Sequence, residues 1–132
     1  MTSVLDYNLT EIPDEAPVEP GEYEMKVLSA THKISSTSGK PMVEVVLGVS
    51  EEPNARSVYT YLSLPAEKDD TKAINGKLRR LRSFYDCFAV DYEGGSVELD
   101  NLIGETGFCI LSEEDDPEYG ASNSVRRFLA RK

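Results

Sequence analysis

Tryptophan is absent from this 132-residue sequence, histidine occurs once, at His32, and cysteine twice, at Cys87 and Cys109. A tetrahedral zinc centre needs four Cys or His ligands, or three where one position stays open for catalysis, and no C-x-x-C pair stands in the chain. Zinc is therefore not expected, and the two cysteines, each flanked by apolar residues, read as buried free thiols. No run of eighteen apolar residues is present, so no transmembrane helix is expected. The first residues, Met1 to Asp6, hold no basic stretch followed by an apolar one, so no secretory signal is read and a cytoplasmic location is the expectation.

Catalytic signatures are missing as well. There is no G-x-S-x-G, no H-E-x-x-H and no Cys/His nucleophile pattern, and His32 has no evident orienting carboxylate. The stretch SSTSGKP (35–41) has a lysine after a glycine, but a proline and then a strand follow where a phosphate loop needs Ser/Thr and a helix N-terminus. The acidic run Glu113 to Glu118 lacks the D-x-[DN]-x-[DN]-G spacing of a calcium loop. Neither an enzyme nor a cofactor is expected.

What the sequence does have is segregated charge. The formal net charge is −10, yet residues 1–24 carry seven acids and no base, and residues 83–125 carry eleven acids and no base. Residues 25–82 carry ten bases against six acids, and residues 126–132 add Arg126, Arg127, Arg131 and Lys132. A local field at a groove governs binding more than the total does, so the acidic sum does not exclude an anionic ligand.

The apolar fraction of 39% and the charged fraction of 29% suit one soluble domain with its own core. Residues 1–20, with three prolines among acids, read as an extended arm, and residues 21–132 as the folded domain. After Pro20-Gly21, alternation predicts strands over 22–31, 42–49 and 57–64. In the third, Val58, Thr60, Leu62 and Leu64 point one way and Tyr59, Tyr61 and Ser63 the other. A helix follows to about residue 90, regular from near residue 75 because Asn75-Gly76 interrupts its start, with Ile74, Leu78, Leu81, Tyr85 and Phe88 as one apolar stripe. Strands over 105–112 and 124–130, joined by an acidic hairpin at 113–120, complete the order β-β-β-α-β-β. A helix between strands three and four of a five-stranded set is the order of the OB-fold, a partly open Greek-key barrel. A plain α+β meander is the competing arrangement.

In an OB-fold, strands two and three and the loops after strands one and four contact oligonucleotides. Single-strand binding without sequence preference needs flat rings for the bases and cations for the phosphates. Tyr59 and Tyr61 supply rings two residues apart on one face. Lys33 and Lys40 in the first loop, Arg56 before strand three, and Arg126 and Arg127 on the last strand supply cations. The alternative for the tyrosines is a covering role, over the barrel or beneath the arm. Lys77, Arg79, Arg80 and Arg82 form a further basic cluster on the helix, read as a solvated face or a second phosphate patch.

The segments GEYEMKVLSA (21–30), SGKPMVEV (38–45), RSVYTYLSL (56–64), LRRLRSF (78–84), DNLIG (100–104) and YGASNSV (119–125) together resemble a phage early-region family. That family is described as a domain of unknown function and is encoded beside recombination or replication genes. The resemblance spans residues 20–126. It implies an OB-fold protein that binds single-stranded DNA, with replication or recombination proteins as partners. It also implies the SGKPM junction, an aromatic outward position at Tyr59 and a closing N-x-V at Asn123 to Val125. The chain departs from single-strand-binding proteins with acidic tails, since its last residues are RFLARK. The reading from a different class is a protein–protein adaptor or DNA mimic that presents its acidic arm and hairpin to a basic partner. The barrel edge leaves monomer and homodimer both open.

Overall fold

The computed structural model describes residues 3–118 and 120–130. Five strands and one helix follow in the order β1 (Gly21–Ile34), β2 (Pro41–Val49), β3 (Val58–Ser63), α1 (Thr71–Cys87), β4 (Thr106–Asp116) and β5 (Gly120–Phe128). A single turn of 3₁₀-helix, Leu99–Leu102, leads into β4. The strands form one open antiparallel sheet in the order β3-β2-β1-β4-β5.

Alternation decides which face is core. Val43, Val45, Leu47 and Val49 of β2 and Val58, Thr60 and Leu62 of β3 are buried, as successive strand side chains point to opposite faces. β1 serves both halves of the sheet. Residues 21–26 pair with β4, while residues 25–34 pair with β2 and shift register at Leu28. Met25 and Val27, at the overlap, are fully buried. The extra residue lets the strand bend, so the sheet curls around its apolar side.

The helix begins at Thr71 rather than near residue 75, because Asp70 caps it: its Oδ1 accepts the Ala73 N–H at 2.8 Å. Lys77 reinforces that end, donating to Asp69 Oδ2 at 2.6 Å. This bond, the Ala66 N–H and the nearby ammonium charges hold the Asp69 carboxyl below its usual range. Of the expected stripe, Leu81, Tyr85 and Phe88 pack on the core, but Leu78 does not. Phe84, Cys87 and Phe88 are fully buried while Leu78 is 45% exposed. Residue 84 lies some 120° around the helix from residue 78 at about 100° per residue. A helix that buries Phe84 must therefore turn Leu78 outward.

Cys87 and Cys109, distant in sequence, meet beneath that helix. Both are fully buried, and Cys87 Sγ donates to the Phe108 carbonyl at 3.2 Å. Contact with Cys87 and burial together raise the Cys109 thiol far above its ordinary range. The close approach is allowed by Gly107. A Cβ there would stand 2.5 Å from the Cys87 carbonyl oxygen and 2.8 Å from its Sγ. Gly107→Ala is therefore expected to cost about 1–3 kcal/mol, the usual range for overpacking. Denaturant unfolding checks this, and an unchanged midpoint would show that the helix end can move aside.

β4 and β5 run farther than expected. Residues 113–116 and 120, read from sequence as hairpin loop, and residues 121–123, ahead of the expected last strand, pair in register from Glu113↔Asn123 to Asp116↔Gly120. Acidic residues disfavour isolated strands, but here the pairing is carried by partners across the ladder. Ser112 and Ser124 share a 2.8 Å hydrogen bond, and Ser124 Oγ also donates to Glu114 Oε1 at 3.0 Å.

Among the described residues the edge strands β3 and β5 form no ladder with each other, yet the arm stitches them. Ala16 N–H donates to Asn54 O at 3.0 Å, and Arg56 N–H donates to Ala16 O at 2.9 Å. Two residues on, Val18 exchanges two 2.8 Å bonds with the Asn123 side chain. The arm read from sequence as extended is thus pinned at residues 16–18, between the start of β3 and the middle of β5.

Candidate nucleic-acid interface

The outer face of β1–β3 follows from the register. Ser29, Val46 and Tyr59 form one cross-strand row, Thr31, Glu44 and Tyr61 the next, and Lys33, Met42 and Ser63 the third. Tyr59 and Tyr61 are 54% and 49% exposed, so about half of each ring surface is open to a ligand. Neither ring meets another aromatic among the described residues. No arm residue lines the groove beside them.

Two grooves meet at Tyr61. One, of about 640 Å³, lies between β3 and β5 and is lined by Arg56, Ser57, Tyr59 and Tyr61 facing Glu114 and residues 122–124. The other, of about 610 Å³, runs from Tyr61 past Glu44 and Met42 to Lys33 and the loop residues 34–37. Together they trace a path across the outer face from β5 to the end of β1, with a ring at its centre and a cation toward each end.

The cations are differently engaged. Lys33 Nζ lies 3.0 Å from Glu44 Oε2, an ion pair at the surface with the lysine 45% exposed. Such exposed pairs are worth about 0–1 kcal/mol, so a phosphate can take the lysine over. Arg56 donates to two backbone carbonyls, Ala121 O at 3.2 Å and Glu15 O at 3.4 Å. Those neutral acceptors leave its charge and further N–H donors for the groove. The structure thus brings Tyr59, Tyr61, Lys33 and Arg56 together.

Lys40, Arg126 and Arg127 line neither groove. Lys40 sits in a loop closed on itself, where Ser35 N–H donates to Lys40 O at 2.9 Å and Gly39 N–H to Ser35 O at 2.8 Å. Its charge helps to hold the Asp69 carboxyl low, which places it toward the helix end. Arg126 is the extra residue of a bulge in β5, and Arg127 pairs with Ile110 farther along that strand. Both are exposed. Arg131 and Lys132 of the C-terminal basic group, and Tyr119 of the YGASNSV segment, lie outside the described residues.

Sequence reasoning missed the acids. Glu44 stands directly opposite Tyr61, and Glu114 faces the tyrosines from β4. Alternation already puts Glu44 on the outer face. The β4–β5 register that aims Glu114 at the groove needs the paired strand. Each groove accordingly carries one cation and one carboxylate, and its field is much weaker than a count of bases suggests.

A family model described as "Protein of unknown function (DUF669)" matches residues 5–106. The match takes in most of the arm and every groove residue of β1–β3, and stops at the first residue of β4. No curated protein matches the chain.

Proposed function

This chain belongs to the DUF669 family, and we propose that it binds single-stranded DNA with little sequence preference along the outer face of β2 and β3. The observation that carries the reading is Tyr61 shared between two grooves, with Tyr59 beside it and Lys33 and Arg56 toward the two ends. Bases stack on the half-open rings, and phosphates meet the two cations. Lys40, Arg126 and Arg127 contribute only through their longer-range field.

The sheet supports the OB-fold reading in three respects. Its strand order is that of such a barrel opened at one seam, its helix falls between β3 and β4, and β3 and β5 approach across the seam. The position in a phage replication or recombination module, with host cytoplasm as location and proteins of that module as partners, rests on the sequence resemblance. No helix among the described residues is long and apolar enough to cross a membrane.

Titration of labelled oligo-dT at several salt concentrations tests the proposal. Affinity must fall with salt, with a slope of about −0.7 per phosphate contacted on a single strand. Lys33→Ala and Arg56→Ala are each expected to reduce that slope by about one contact. Glu44→Gln is expected to raise affinity at low salt, because it frees Lys33 and removes a carboxylate beside Tyr61. Absence of binding at low salt overturns the proposal. Capture of a basic protein partner without any oligonucleotide binding would establish the adaptor reading, which the exposed acids of the β4–β5 hairpin favour.

A further inference from the structure

Among the described residues, the most exposed large apolar side chains lie in the N-terminal arm. Leu5, Tyr7, Leu9 and Ile12 are 62–81% exposed, although Ala16 and Val18 a few residues later are hydrogen-bonded to the sheet. Leu5, Tyr7 and Leu9 recur at every second position, so an extended backbone presents them on one side. Asp6, Glu11, Asp14 and Glu15 surround them and no base does.

The opposite chemistry lies on α1. From Thr71 to Ser83 the helix carries five bases and no acid. Lys77 is paired with Asp69, and Arg80 lies 5.2 Å over the Phe128 ring and within 3.5 Å of Thr60 Oγ1. Lys72, Arg79 and Arg82 have no ion-pair partner among the described residues. Between them sits the outward-turned Leu78, which with Asn75, Arg79 and Arg82 lines a shallow groove of about 330 Å³.

We infer that the arm of one copy docks on the α1 face of a second copy, and that the exchange is reciprocal. Charge complementarity chooses the occupant: the arm is apolar and acidic with no base, and the helix face is basic with Leu78 beside its arginines. Reach allows it, since eleven residues separate Leu5 from the pinned Ala16, about 36 Å when extended. Within one chain the arm's apolar side chains are largely exposed, and they stay uncovered until a neighbour supplies the face. Two arms exchanged about a two-fold axis close the assembly as a dimer.

Sedimentation of the full chain at low and high salt tests this. A dimer that weakens with salt is expected. The triple variant Leu5→Ser/Tyr7→Ser/Leu9→Ser and the double variant Arg79→Glu/Arg82→Glu are each expected to dissociate at least tenfold more readily. Circular dichroism confirms that both remain folded, and the changed residues are exposed. Mixing the two variants must restore a heterodimer, because one keeps an intact arm and the other an intact face. A monomeric native chain at all concentrations, a dimer indifferent to both variants, or a mixture that stays monomeric would each overturn the inference.

Discussion

Replacing Tyr59 and Tyr61 together by alanine is expected to weaken oligo-dT binding by about 25-fold or more. Stacking contributes about 1–3 kcal/mol per base, and 1.4 kcal/mol is a factor of ten in affinity, so each ring accounts for about 5- to 150-fold. The fold should hardly notice. Both rings point away from the core residues Val58, Thr60 and Leu62 and are about half exposed. Surface substitutions of this kind move stability by about 0.5 kcal/mol. Fluorescence anisotropy and thermal melting of the same samples separate the two roles. Unchanged affinity with a lowered midpoint would make the tyrosines a structural cover, as the other reading of the sequence had it. Tyr61→Ala alone should cost more than Tyr59→Ala, because only Tyr61 belongs to both grooves.

Phe84→Ala is expected to be the most damaging single truncation in the helix, at about 3–5 kcal/mol. The ring is fully buried, with its centroid 4.9 Å from that of Phe88 and 5.5 Å from that of Phe128. It therefore ties α1 to β5 as well as to its own C-terminal end. The loss would be a large part of the 5–15 kcal/mol that holds a typical domain folded. Leu78→Ala, measured in dilute solution, should stay within about 0.5 kcal/mol because that side chain faces solvent. The contrast is diagnostic. An apolar stripe read as residues 74, 78, 81, 85 and 88 gives Leu78 a core role, whereas the packed helix gives that role to Phe84. Equal costs at the two positions would show that the helix is rotated from this orientation.

Much of the domain was legible from local pattern. The inward sides of β2 and β3 follow from strict alternation, which is the same whether a strand is isolated or paired. The outward direction of Tyr59, Tyr61 and Glu44 comes with it. The extent of β4 and β5 was not legible, since Glu113 to Asp116 has a composition suited to a loop and is held extended only by its partner strand. Leu78 misled for a related reason. Several helix faces in this segment carry apolar residues, and the choice among them depends on what the sheet offers to pack against.

By itself the sequence determined the element order, the inner face of the meander, the segregation of charge and the presence of two tyrosines on one strand face. These depend on residues close together in the chain. Only the tertiary structure decided that Tyr61 joins two grooves, that Lys33 shares its groove with Glu44, and that Lys40, Arg126 and Arg127 stand apart. It also decided that Gly107 lets Cys87 approach and that residues 16–18 stitch β3 to β5. Each of these depends on strand register and on the bend of β1 at Leu28, which bring together groups tens of residues apart. Neighbouring residues set which way a side chain points, but long-range pairing sets what it meets.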